Sequence, residues 1–185
     1  RTFIFIYGQT NSEQDMFVRG GIDHTYAAGI GRNCTNANML CAIPIQHLNN
    51  QNATTNPWKT GDTHLDWYGI QTGQNSSAQG TPLDWSTNNA SNPNKLSTVG
   101  YGYTPLNTWG DHYWMLDVRM DCSKAVTING ASWFEVKSFI SNGPGWEGDV
   151  NQPSRPWVSG NHFAQCGKLN MFKRGDSNAV ITNLP

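Results

Sequence analysis

The chain has 185 residues, enough to bury a core, with a net charge of −1 and only 14% charged residues. That balance offers nothing to nucleic acid or an anionic membrane, and no apolar run approaches a membrane span. Eight Trp among abundant Asn, Gly, Ser and Thr have the composition of an all-β, loop-rich, extracellular domain. No signal-peptide pattern opens the chain, and Arg1 in place of Met is what a mature or excised fragment would show.

Residues 1–7, RTFIFIY, read as a strand with Phe3, Phe5 and Tyr7 on one face. GQTNSEQD is a turn, and MFVRGG (16–21) is a second strand ending in paired Gly. A stretch of about sixty residues, 24–83, follows and holds Cys34, Cys41, Trp58 and Trp67. Within it CAIPI and HLDWYG are short strands or core segments, and GIQTGQNSSAQGTP is a loop of small polar residues. Its apolar content is too small for an independent core, which makes the whole of 1–185 one domain.

HYWMLDVRMDC (112–122) alternates, with Trp114, Leu116, Val118 and Met120 on one face and Met115, Asp117 and Arg119 on the other. A turn then leads to WFEVKSFI (133–140), a strand bounded by Gly130 and by Asn142-Gly143-Pro144-Gly145. CGKLNMFKRG (166–175) is the closing strand. No helix with sustained 3.6-residue periodicity is present. The whole reads as an antiparallel β-sandwich.

Cys34, Cys41, Cys122 and Cys166 allow three disulfide pairings. Closeness in sequence favours Cys34 with Cys41, which leaves Cys122 for Cys166. Neither CxxC nor HxxxH occurs to suggest zinc. Asp23, Asp62, Asp66 and Asp84 fall in or beside the 24–83 stretch, whose loop oxygens are the kind of ligand a structural calcium takes, but no EF-hand-like or repeated Asp motif occurs. No cofactor is required by anything in the chain.

The most informative stretch is 146–151, WEGDVN. A Trp in a Gly/Pro/Asn turn has little core to enter, and the carboxylate and amide groups beside it can orient a ligand by hydrogen bonds. An aromatic plate ringed by short polar groups suits a sugar, which has an apolar face and a rim of hydroxyls. Phe134-Glu135-Val136-Lys137 followed by Trp146-Glu147-Gly148-Asp149-Val150-Asn151 resembles the F-E-x-K strand and W-E-x-D-x-N turn of starch-binding carbohydrate-binding modules, above all family 20. The resemblance covers roughly 1–23, where the first two strands look like the module's opening hairpin, and 84–175; it leaves 24–83 unmatched as a long loop insertion.

That resemblance implies an immunoglobulin-like sandwich of the starch-binding type. It implies binding of α-1,4-glucan (starch, amylose or glycogen), without catalysis, in a secreted protein whose catalytic domain lies in the same parent chain. It implies a site in which Trp146 pairs with Trp85, from Asp84-Trp85 after the insertion, while Lys137 donates to sugar hydroxyls and Glu147 and Asn151 complete the polar rim. Trp67, also preceded by Asp, and Trp109 are further candidate platforms. Tyr101, with Tyr103, lies where a second, tyrosine-based site would fall, and Trp58 of the insertion could replace one. Trp114 belongs to the core.

Two other classes compete. A small glycosidase needs two carboxylates facing one sugar, and the chain has only three Glu (Glu13, Glu135, Glu147) and ten Asp in no acid/nucleophile motif. A calcium-stabilised, lectin-like module for another polysaccharide would draw on the acidic loops of the insertion.

Overall fold

The computed structural model describes residues 1–49, 57–69, 79–93 and 101–185, the side chains of Pro57, Trp58 and Tyr101 excepted. The strands in chain order are β1 (Thr2–Tyr7), β2 (Met16–Gly21), β3 (Ile43–His47), β4 (His64–Leu65), β5 (Thr81–Pro82), β6 (Asp84–Thr87), β7 (Tyr101–Tyr103), β8 (Tyr113–Met120), β9 (Val126–Ile128), β10 (Ala131–Ile140), β11 (Gly145–Trp146), β12 (His162–Gln165), β13 (Lys168–Lys173) and β14 (Ala179–Asn183). One short α-helix, α1 (His24–Gly29), follows β2.

The molecule is mostly β and built of two sheets. Sheet A runs β14-β13-β1-β8-β3-β4, with β6 also on β8 and β7 on β6. Sheet B runs β11-β10-β2-β5, with β9 and β12 also on β10. Sheet B is antiparallel and curls into a half-barrel. Sheet A is mixed: β1 lies parallel to β13, and β6 parallel to β7. A purely antiparallel sandwich is therefore not what forms.

The expected opening hairpin does not form either. β1 pairs with β8 and β13 in sheet A, whereas β2 pairs with β10 and β5 in sheet B. The reason lies in β1 itself. Ile4 and Ile6 enter the main core between the sheets, while Phe3 and Phe5 enter a second apolar cluster with Tyr113, Met115, Leu169 and Met171. A strand apolar on both faces needs a neighbour on each edge and cover on each side.

β8 alternates as its sequence indicates: Trp114, Leu116 and Val118 join the main core, and Tyr113 and Met115 the second cluster. β9 and β10 form a two-residue hairpin at Asn129-Gly130, both at positive φ (49° and 80°). An Asn-Gly turn of this hand matches strand twist. The chain crosses from β12 in sheet B to β13 in sheet A through Cys166-Gly167. The Gly167 N–H donates to Thr2 Oγ1 there (2.8 Å). Cys166 is bonded to Cys122 at that corner, and Cys34 is bonded to Cys41. β13 does not close the chain, because β14 pairs along its outer edge.

The segment expected as a loop insertion is woven into both sheets. β3 extends sheet A beside β8, and β5 extends sheet B beside β2. A 3-10 turn, Pro57–Gly61, carries Lys59 inside, where Nζ meets Asp84 Oδ2 at 2.7 Å with both side chains 1% exposed. His47 and Asp62 pair at 2.7 Å close by in sequence. Gly21 makes the close approach practicable: at φ 128° it lets the Cys41 carbonyl in where any Cβ would collide.

Candidate functional site

Period-2 alternation along β10 sends Phe134, Val136 and Ile140 into the core and Lys137 and Phe139 to the other face of sheet B. Across the ladder, Lys137 is registered with Arg19 of β2, and Phe139 with Trp146 of β11. These side chains border a cleft of about 740 Å³. Arg19 and Lys137 line it, with Phe139 and Trp146 where β10 meets β11. Beyond β2 the lining comes from Asp23 and then from the expected insertion: His24 and Thr25 at the start of α1, Asn36 of the disulfide loop, then Trp67, Tyr68 and Gln79. Asn161 completes it.

Trp146 is 44% exposed, its edge against Phe139 with ring centroids 4.9 Å apart. The turn that presents it reverses direction at Asn142 (φ 52°) and Gly145 (φ 73°). Arg174 Nη2 donates to the Gly145 carbonyl (2.7 Å). The Lys137 ammonium meets Asp149 Oδ1 at 2.5 Å, a pair with Asp149 82% exposed. The Arg19 guanidinium is 5.8 Å from the Trp146 ring centroid, and its Nη1 donates to the Trp67 carbonyl at 2.6 Å. Burial lowers the Arg19 pKa, an effect that the charge of Asp66 offsets only in part.

The far wall is held from below. Asp23 caps α1, its carboxylate accepting from the Tyr26 N–H (3.0 Å). Tyr26 stacks on Trp157 at 4.1 Å, which ties the helix to the 150–161 loop. The Asp66 backbone carbonyl accepts from Gly20 N, its carboxylate from Gly69 N at 2.5 Å, and Trp67 Nε1 donates to Ile22 O at 2.9 Å. Glu135 lies fully buried beneath this wall, accepting from Asp23 N (2.5 Å), Ser159 Oγ (2.5 Å) and Asn161 Nδ2 (3.2 Å). Burial pushes its carboxyl above the ordinary glutamate range despite those donors. Burial likewise lowers the His24 pKa against the pull of Asp23.

The expected site residues separate into groups. Trp146, Lys137 and Trp67 share the cleft. Trp85 does not. It lies on β6 against Trp114 of β8, in the other sheet, is 4% exposed, and donates from Nε1 to His112 Nδ1 (3.1 Å). It is a core residue, because Asp84, the acidic neighbour that suggested a loop, is buried on Lys59. Glu147 is not a rim acceptor. Its Oε1 takes the Ser138 N–H (2.9 Å) and Oγ (3.0 Å), and Oε2 takes Gly175 N (2.8 Å) and meets His162 Nε2 (2.9 Å). Burial alone would raise its pKa, but His162 and the backbone donors hold the carboxyl below the ordinary range. Asn151 is exposed but outside the cleft lining; its amide oxygen accepts from Arg155. Trp109 packs on Phe5 and Tyr113 (5.6 and 5.7 Å) in the second cluster. The side chains of Tyr101 and Trp58 lie outside the described residues, as do residues 70–78 of the polar loop.

The four Asp weighed for calcium have separate partners: Asp23 the Tyr26 N–H, Asp62 His47, Asp66 the Gly69 N–H, and Asp84 Lys59. Among the described residues, the one His/Cys/Asp/Glu group close enough to share an ion is His24 with Cys34 and Cys41. Its two sulfurs are bonded to each other. Sequence reasoning missed Arg19, His24, Asn36, Tyr68 and Asn161. For Arg19 a signal existed, since Val18 and Arg19 must face opposite ways on a strand; Tyr68 adjoins the noted Trp67.

No family model, curated protein or solved structure matches this chain.

Proposed function

We propose that this chain is a non-catalytic carbohydrate-binding module that takes α-1,4-glucan in the cleft over β10 and β2. One observation carries the reading: the motif Trp stands exposed at the rim of a cleft that also contains the motif Lys. Stacking a pyranose on such a ring buries apolar area worth about 1–3 kcal/mol, and the polar groups around it orient the sugar more than they strengthen binding. Affinity is then modest, and attachment to a multivalent granule supplies the remainder.

The acidic residues favour a binder over a glycosidase. Glu135 and Glu147 are both buried and hydrogen-bonded to protein groups, so neither is presented to a sugar as acid or nucleophile. The resemblance of the FEVK and WEGDVN segments to family 20 modules supports starch-type glucan as the ligand and a secreted amylolytic enzyme as the parent chain. Two disulfides suit an oxidising compartment. The test is calorimetric titration with β-cyclodextrin and maltoheptaose. Binding by the wild type and its loss in Trp146→Ala are the expected results; a folded wild type that binds neither sinks the α-glucan reading.

A further inference from the structure

Resting on the α-glucan reading, we infer that Tyr68 is the second sugar platform of the cleft, opposite Trp146, so that the site takes a chain long enough to cross β10 and β2. Nine large apolar side chains stand exposed among the described residues, and only Trp146 and Tyr68 of these line the cleft. Tyr68 is 38% exposed. The His24 ring backs it at 5.2 Å and 50°, which leaves other parts of the ring to a ligand.

The placement follows from strand order. Trp146 is on β11, at one side of β10, and the Asp66–Gly69 turn is fastened to the end of β2 on the other. Two strands, β10 and β2, stand between the platforms, so the ligand that engages both is a chain that reaches across them. Arg19, between them and 5% exposed, donates to the Trp67 carbonyl and packs toward Trp146. It acts as a strut that sets the distance between the walls. A flexible pair of platforms would lose side-chain and loop entropy on binding; a strutted pair loses less.

The experiment compares maltotriose with maltoheptaose on the wild type, Tyr68→Ala and Tyr68→Phe, by calorimetry and by Trp fluorescence, with thermal melts as the folding control. Loss of one aromatic platform should weaken maltoheptaose about ten-fold or more and maltotriose, held at Trp146, less than about three-fold. Tyr68→Phe keeps the ring and should retain wild-type affinity within about two-fold. If Tyr68→Ala binds both ligands like the wild type, or weakens both equally, the second platform is overturned and the α-glucan reading stands. A wild type silent to both ligands overturns the two together.

Discussion

Trp146 and Trp85 look alike on paper. Each stands beside an acidic residue, in a stretch of Gly, Pro, Asn and Thr. In the folded chain one is 44% exposed at a cleft and the other 4% exposed in the core. The difference comes from what each acidic neighbour does. Glu147 is pulled inward to His162, Ser138 and Gly175, and the next residue along, Trp146, is turned outward at the edge of sheet B. Asp84 is pulled inward to Lys59, but on a strand paired to β8, where Trp85 then meets Trp114. An acid–Trp pair thus reports a buried anchor. Which side of the sheet the Trp takes is decided by strand pairing.

The largest effects should break this symmetry outright. Trp85→Ala opens a core cavity and should cost about 3–5 kcal/mol in urea denaturation, whereas Trp146→Ala should change stability by less than about 1 kcal/mol while abolishing glucan binding. Equal stability losses in the two variants would refute the comparison. Lys59→Met takes the ammonium from the buried Asp84 carboxylate and should also cost about 3–5 kcal/mol; adding Asp84→Leu should recover most of that. The recovery, measured as a double-mutant cycle, separates an ion pair that holds the insertion from one that merely sits there.

The Glu147 anchor should show a smaller, pH-dependent effect. Its folded pKa lies below the ordinary glutamate value of 4.5. Its contribution is therefore present above pH 4.5 and is lost as pH falls through the folded pKa. Glu135, shifted upward, has the opposite sign: it costs stability when ionised and relieves that cost as pH falls. Glu147→Gln should lose about 1–3 kcal/mol at pH 7 and show a flatter acid limb in urea melts between pH 6 and 3. An unchanged acid limb would mean the anchor does not titrate on unfolding. The smallest effect is expected at Lys137, whose pair with Asp149 is open to water. Lys137→Met should shift stability by less than about 1 kcal/mol, and its consequence should be read in glucan affinity instead.

Much of the fold was legible because β patterning is local. The alternation of β8, the turn before β10 and the short strand or core segment at CAIPI follow from residue order alone. So did the cysteine pairing, since Cys34 and Cys41 are separated by only 7 positions. The helix α1 was not legible: six residues are too few to show a period, and the Asp23 cap was its only mark. The parallel β1–β13 pair was hidden because its partners lie at opposite ends of the chain. The exposure of Trp146 was legible from its Gly/Pro/Asn turn, but Glu147 was misread as a rim acceptor, because a carboxylate in a turn gives no sign of whether its lone pairs face water or protein.

The sequence by itself determined that this is a β-rich, weakly charged chain with an exposed Trp on a Gly-rich turn, since composition, alternation and turn chemistry act over a few residues. Only the tertiary structure decided that the insertion forms the far wall of the cleft, that Tyr68 rather than Trp85 stands there, and that Arg19 lies between the walls. Those placements depend on strands and loops that meet from distant parts of the chain. The free energy that brings them together, apolar burial of β1 on both faces and of the core between the sheets, belongs to no single segment.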